Sequence, residues 1–136
     1  MSDNLTPEQR RKAMARVKSQ DTTPEITVRR LVHSLGYRFR LHRKDLPGKP
    51  DIVFPRLKKV VFVHGCFWHG HKGCEASKRP STNTEYWNAK LDRNKKRDQD
   101  NIKKLIAIGW EPLIIWECQT KDSNELQRVI LNFLQK

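Results

Sequence analysis

An α/β fold, a mixed β-sheet flanked by helices on both faces, is what this sequence predicts, and three observations predict it. Apolar residues recur at helical spacing near residues 28–35, 86–106 and 126–134. Short strand-like runs rich in Val, Ile and Phe lie between them, and one, Lys59-Val-Val-Phe-Val63, is apolar enough for a central strand. The resulting order, α, α, β, β, β, α, β, α, interleaves helices with strands. A length of 136 residues suits one unit with a real core, and no repeat or linker interrupts it. Residues 1–136 are therefore expected to form a single domain, with residues 1–20 as a basic helical arm.

Each element has a local cause. Thr6-Pro-Glu-Gln9 starts the arm, with Thr6 as N-cap, Pro7 at the first helical position and Gln9 as in a capping box. Arg10, Arg11, Lys12, Arg16 and Lys18 leave only Met14 and Val17 to bury, so the arm is either solvated or leans on something outside the core. Thr23-Pro24-Glu25 repeats the cap and proline signal, with Thr23 as cap. Val28, Leu31, Val32 and Leu35 then follow at i, i+3, i+4, i+7 until Gly36. Tyr37, Phe39 and Leu41 alternate with Arg38 and Arg40, as in a half-buried strand. Leu46-Pro-Gly-Lys-Pro50 is a turn, and Asp51-Ile-Val-Phe54 and Lys59–Val63 read as a hairpin across Pro55-Arg-Leu-Lys58. A helical pattern runs from Thr84 to Gly109. Its charged middle, Lys90 to Lys104, is the kind of run that is usually a solvated face, yet it holds Asp98 and Asp100. Residues 110–116 form another strand, and Asp122 caps a closing helix with the stripe Leu126, Val129, Ile130, Phe133 and Leu134.

Charge narrows the partner. The 28 Lys and Arg outweigh 15 Asp and Glu by 13, a bias toward a polyanion, with nucleic acid favoured over a ribosomal or membrane-surface role. No apolar run approaches the roughly 20 residues of a membrane span, and the first residues lack the plan of a secretory signal. A cytoplasmic protein, nucleoid-associated when bound to DNA, is expected. Three cysteines, two of them beside histidines, favour zinc over disulfides in such a compartment.

The chemistry concentrates in His64-Gly-Cys-Phe-Trp-His-Gly-His-Lys-Gly-Cys74. Cys66, His71 and Cys74 have the spacing of a metal clasp, with Cys118 as candidate fourth ligand, although spacing leaves His69 and His71 as alternatives. A clasp of this kind would join the ends of strands 59–63 and 110–116. Pro50-Asp51, at the start of a hairpin strand, is either a turn dipeptide or the first half of a PD-(D/E)xK nuclease signature. In the second case the carboxylate holds the divalent metal that phosphodiester hydrolysis needs. The usual acidic-x-Lys of the second strand is replaced by Phe62-Val63-His64.

Leu46-Pro-Gly-x-Pro-Asp51, His64-Gly-Cys-Phe-Trp-His69, Trp87 and Ile115-Trp-Glu-Cys118, taken together, closely resemble the very-short-patch repair endonucleases over residues 12–118. The resemblance implies a restriction-endonuclease-like fold with one structural zinc site. It also implies an enzyme that nicks DNA 5′ to the thymine of a T·G mismatch left by deamination of 5-methylcytosine. By the same resemblance, Mg2+ sits on Asp51 and the Val63 main-chain carbonyl, and His69 paired with Asp98 is the general base. His64 steadies the phosphate or leaving group, and Glu25 is a further acidic residue near the site. Zn2+ is held by Cys66, His71, Cys74 and Cys118, here in a loop where Gly70, Lys72 and Gly73 replace a run richer in histidine. Phe67, Trp68 and Trp87, which core packing would otherwise explain, enter the duplex from the major groove. Met14 wedges from the minor groove while Lys12 and Arg16 hold phosphates. A monomer is expected, and coupling to mismatch-repair proteins is a family expectation that no motif here carries. Two other readings stand beside this one: a non-catalytic zinc-stabilised DNA-binding module, and a restriction endonuclease of the same fold.

Overall fold

The computed structural model describes residues 21–136, so the expected arm helix, with Lys12, Met14 and Arg16, lies outside the described residues. Within them the chain forms α1 (Thr23–Ser34), β1 (Arg40–Leu41), β2 (Ile52–Phe54), β3 (Lys59–His64), α2 (Thr84–Ala107), β4 (Glu111–Trp116) and α3 (Ser123–Leu134). Short 3₁₀ turns occupy Glu75–Ser77 and Glu117–Lys121. The mixed α/β architecture fits a restriction-endonuclease-like fold. Among the described residues no helix is long and apolar enough to cross a membrane.

The four strands lie in the order β1-β2-β3-β4. β2 and β3 form the antiparallel hairpin, with Ile52 opposite Val61 and Phe54 opposite Lys59. β3 and β4 are parallel, Lys59 facing Glu111 and His64 facing Trp116. Parallel neighbours need a crossover, and α2 supplies it. Side-chain alternation then divides the core. Ile52, Phe54, Val61 and Ile115 face one side of the sheet, where Val28 and Val32 of α1 and Ile130 of α3 cover them. Val53, Val60 and Phe62 face the other, against Leu105 of α2. Helices therefore flank both faces.

Two local expectations differ from the structure. The cap of α1 is Thr22, whose hydroxyl accepts the Glu25 N–H at 3.3 Å, one residue earlier than Thr23. Both are threonines followed by Pro24, and only packing chooses between them. The strand expected over Tyr37 to Leu41 shrinks to Arg40–Leu41, because its partner β2 is bounded by Pro50-Asp51 and by Pro55. Tyr37 and Phe39 still turn inward, each edge-on to Phe54 at 6.3 and 6.4 Å. α3 is capped as expected by Asp122. Its far end is held by buried Lys59, whose ammonium donates to the Phe133 carbonyl at 2.6 Å.

Ile115 lies on β4 with no exposed surface, on the sheet face covered by the first and the terminal helices. Ile115→Ala is expected to cost about 2–5 kcal/mol of unfolding free energy, measured by urea denaturation, without moving the secondary-structure signal.

Candidate active site and metal centre

Proline creates the acidic end of the site. Extending the hairpin register by two residues from Ile52 and Val61 puts Val63 opposite Pro50, which has no N–H to offer. The Val63 N–H instead donates to Asp51 Oδ2 at 2.7 Å. In a strand the N–H and C=O of one residue lie on the same edge, so the Val63 carbonyl also faces this side, with no ladder donor from Pro50. Burial, and then the hydrogen bond and charge of Glu25, push the Asp51 carboxyl up to about 8. Buried oxygens with too few donors are what a hard divalent cation satisfies.

Glu25, at the start of α1, is 2% exposed and carries more partners than any other acid here. Its Oε2 accepts from the Asp21 N–H at 2.6 Å and from Arg29 Nη2 at 2.5 Å, and its Oε1 meets His42 Nε2 at 3.0 Å. Burial alone would raise it, but the hydrogen bonds of Asp51, His42 and the Asp21 main chain hold it below the usual carboxylate range. Of the two acids, Glu25 keeps the charge and Asp51 the proton.

His64 ends β3, and the loop after it folds His69 back over it, the two rings stacking at 3.8 Å and 10°. His69 Nδ1 lies 2.6 Å from Asp98 Oδ2 on α2. A carboxylate only accepts, so Nδ1 carries the hydrogen and Nε2 keeps its lone pair for the cleft. His64 is different in kind. Burial, and then the nearby His69, lower its pKa to about 3, and its Nδ1 is buried with no partner among the described residues.

Gly70, at φ +66 and with Lys95 packed where a side chain would begin, reverses the loop so that His71 points away from His69. His71 joins Cys66, Cys74 and Cys118, whose ligand atoms all lie within 4.8 Å of one another. Its Nδ1 is 3.6 Å from Cys66 Sγ and 3.4 Å from Cys118 Sγ. Zinc bonds of about 2.3 Å to sulfur and 2.0–2.1 Å to nitrogen, at tetrahedral angles, put S and N about 3.5–3.6 Å apart, so the cluster fits zinc. Burial and the neighbouring thiols push the Cys66 thiol up to about 12 against one main-chain hydrogen bond from Cys118. A cation among these sulfurs would favour the ionised form of that buried thiol. The stack of His71 on Trp116, at 4.3 Å and 8°, fixes the imidazole plane.

Phe67 and Trp68 are half-buried, their rings 5.0 Å apart, while Trp87 is 6% exposed beneath them at 5.5 and 5.9 Å. Trp87 forms the floor on which the other two rings stand. Two clefts, of about 560 and 630 Å³, the second bordered by Phe67 and Trp68, are both walled by Asp51, Val63, His69 and Arg97.

A family model described as DNA mismatch endonuclease Vsr matches residues 2–76. The chain is similar to Type II nicking enzyme V.XorIIP of Xanthomonas oryzae pv. oryzae, 51% identical over 134 residues that span 98% of each chain. It is also similar to DNA mismatch endonuclease Vsr of Escherichia coli, 38% identical over 126 residues, 93% of this chain and 80% of that one. Type II nicking enzyme V.NmeAIP of Neisseria meningitidis is 40% identical over 122 residues, 90% of this chain and 86% of that one. The chain belongs to the Vsr family.

In this Vsr-family chain the structure brings together Glu25, Asp51, Val63, His64, His69 and Asp98 at one site, and the zinc-type cluster at another. Sequence reasoning missed Arg29 and His42, which hold Glu25, and Asn94, whose amide donates to the Trp68 carbonyl at 3.1 Å. It also missed Lys44, Lys49 and Arg97 as cations of the first cleft. The four-residue step from Glu25 to Arg29 was the one local signal available; His42 lies too far along the chain to be paired with Glu25 by spacing.

The neutral His64 sets a pH prediction. The folded protein keeps its ring uncharged, whereas the unfolded chain binds a proton near 6.5, so its stability contribution is complete above that pH and is lost as pH falls toward 3. In nitrogen-15 spectra of the ring, His64 is expected to stay neutral from pH 8 to pH 5; a titration centred near the ordinary histidine value would contradict this.

Proposed function

We propose that this chain is a strand-specific DNA mismatch endonuclease that nicks one strand 5′ to the thymine of a T·G pair, by Mg2+-dependent phosphodiester hydrolysis. The observation that carries the reading is the shared wall of the two clefts. A polymer laid across both would place its backbone over Asp51, Val63 and His69, the residues fitted to hydrolyse it. The similarity to the protein named DNA mismatch endonuclease Vsr supports the T·G substrate.

Asp51 and the Val63 carbonyl would hold the Mg2+. Bound there, the ion neutralises charge on the scissile phosphate and polarises its oxygen. His69 takes the proton of the attacking water on Nε2, and Asp98 stabilises the charge that the ring gains. His64, neutral and stacked on His69, donates an N–H to phosphate or to the leaving oxygen without adding a competing charge. Phe67 and Trp68 enter beside the mismatch, where a weakened step is cheapest to unstack, with Trp87 behind them. Lys49 and Arg97 neutralise flanking phosphates, and Met14, Lys12 and Arg16 complete the grip from the minor-groove side. Cys66, His71, Cys74 and Cys118 hold Zn2+ as scaffold, with no open position for substrate. One site cuts one strand, so a monomer suffices.

A second reading is nicking that does not depend on a mismatch, since the Xanthomonas and Neisseria relatives are named as nicking enzymes without mention of one. Duplexes with a single T·G pair in several contexts, and their paired counterparts, separate the two. Wild type is expected to nick the T strand only with Mg2+ and only in mismatched duplexes, whereas cutting of paired DNA would favour the second reading. Asp51→Ala and His69→Ala should each slow single-turnover nicking by about 10²–10⁴-fold while DNA still binds. Elemental analysis should find about one zinc per chain, and Cys118→Ser should lose it together with folding stability. Full zinc content in that variant would remove Cys118 from the ligand set.

A further inference from the structure

We propose that the His42 side chain is a positioning residue of the active site, holding Glu25 against Asp51 so that the Asp51 carboxyl meets the divalent cation in one orientation. Three observations converge on it. The ring reaches across from the end of β1 to place Nε2 3.0 Å from Glu25 Oε1, the oxygen that Arg29 does not take. Its own main-chain N–H donates to the Asp51 carbonyl at 3.2 Å, so one residue grips the backbone of one acid and the carboxylate of the other. His42 also adopts φ +50, a left-handed conformation that glycine or asparagine would take at less cost. Strain of this kind persists where the surroundings need the side chain.

The chemistry follows from counting partners. Glu25 accepts the Asp21 N–H and the Arg29 guanidinium on one oxygen, and its other oxygen faces the His42 ring, which meets it as donor with its hydrogen on Nε2. Arg29 fixes one carboxylate oxygen and is shared with Asp21 at 2.6 Å. Without His42 the other oxygen is free to swing, and the contact to Asp51 loses its angle. Asp21, Glu25 and His42 also lie close enough together to suggest a metal site of their own. The Arg29 guanidinium already supplies the positive charge between the two acids, which leaves His42 the role of a clamp.

This assignment rests on Asp51 as cation ligand, and its test does not depend on nicking alone. Mn2+ binding to the zinc-loaded, DNA-free protein is measured by electron paramagnetic resonance for wild type, His42→Ala and His42→Gln. Partners that orient a metal ligand typically contribute about 10- to 100-fold in affinity or activity. His42→Ala is expected to weaken Mn2+ binding by that factor and to slow single-turnover nicking at limiting Mg2+ in parallel. DNA binding without divalent metal should stay within about twofold. Glutamine keeps an N–H donor at similar reach, so His42→Gln should recover to within about threefold of wild type. The assignment is overturned if His42→Ala binds Mn2+ as wild type does, or if metal-free DNA binding falls with it. It is also overturned if a folded His42→Gln, judged by its melting temperature, gains nothing over alanine or binds Mn2+ as weakly as expected for alanine when alanine itself does not fold. If wild type fails to nick T·G duplexes while the Mn2+ pattern holds, the mismatch reading falls and the role of His42 stands.

Discussion

β3 and β4 run parallel and in register, so whatever follows His64 must meet whatever follows Trp116. The whole site hangs from that pairing. Two residues beyond the pair lie Cys66 and Cys118, and the chain between Cys66 and Cys74 folds back on itself to bring His71 and the last thiol to the same point. Parallel strands cannot be joined by a tight turn, and the helix that must cross between them carries Asp98 to His69 and Leu105 to the far face of the sheet. One topological requirement thus produces the metal cluster, the orienting carboxylate and half of the core.

The same strand end separates two kinds of donor set by a few residues. On the β2 side, Val63 and Asp51 expose hard oxygens in a place where Pro50 has withdrawn the ladder donor. On the β4 side, sulfur and imidazole converge instead. Hard oxygens and soft thiolates favour different cations, so the two donor sets differ in chemistry as well as in place. The rings between them form a continuous stack of contacts: His69 on His64, His64 edge-on to Trp116 at 5.4 Å, and Trp116 on His71. Closing the thiol cluster therefore also steadies the histidine pair.

What was legible in the sequence was local. The Asp122 cap, the hairpin, the apolar central strand and the amphipathic last helix depend on neighbours three or four residues away, and each lies where its pattern puts it. The Thr22 cap and the short β1 depart by one and three residues, because threonine repeats at the first and prolines bound the partner of the second. At the site, spacing alone left His69 and His71 open; the turn at Gly70 sends them to opposite sides. His42 was illegible for a different reason. Its target, Glu25, is buried only because α1 packs on the sheet, and no property of a basic run around residue 42 announces a buried acid across the fold. The depth of Trp87 was illegible for a related reason, since its exposure depends on how deeply α2 sits.

Each acid at the site is tied before substrate arrives: Asp98 to His69, Glu25 to Arg29 and His42, and Asp51 to the Val63 N–H. In a chain with 13 excess positive charges, acids left loose near the cleft would pair with lysines and lose their orientation. A tied acid does not reorient when a polyanion enters, so the reorganisation that would slow the reaction is completed during folding. The cost appears as buried, imperfectly satisfied groups, namely the His64 Nδ1 without a partner and the Asp51 carboxyl that keeps its proton near neutral pH. Both lie at the end of β3 beside the cleft, so the imperfectly satisfied groups gather at the site and not in the core.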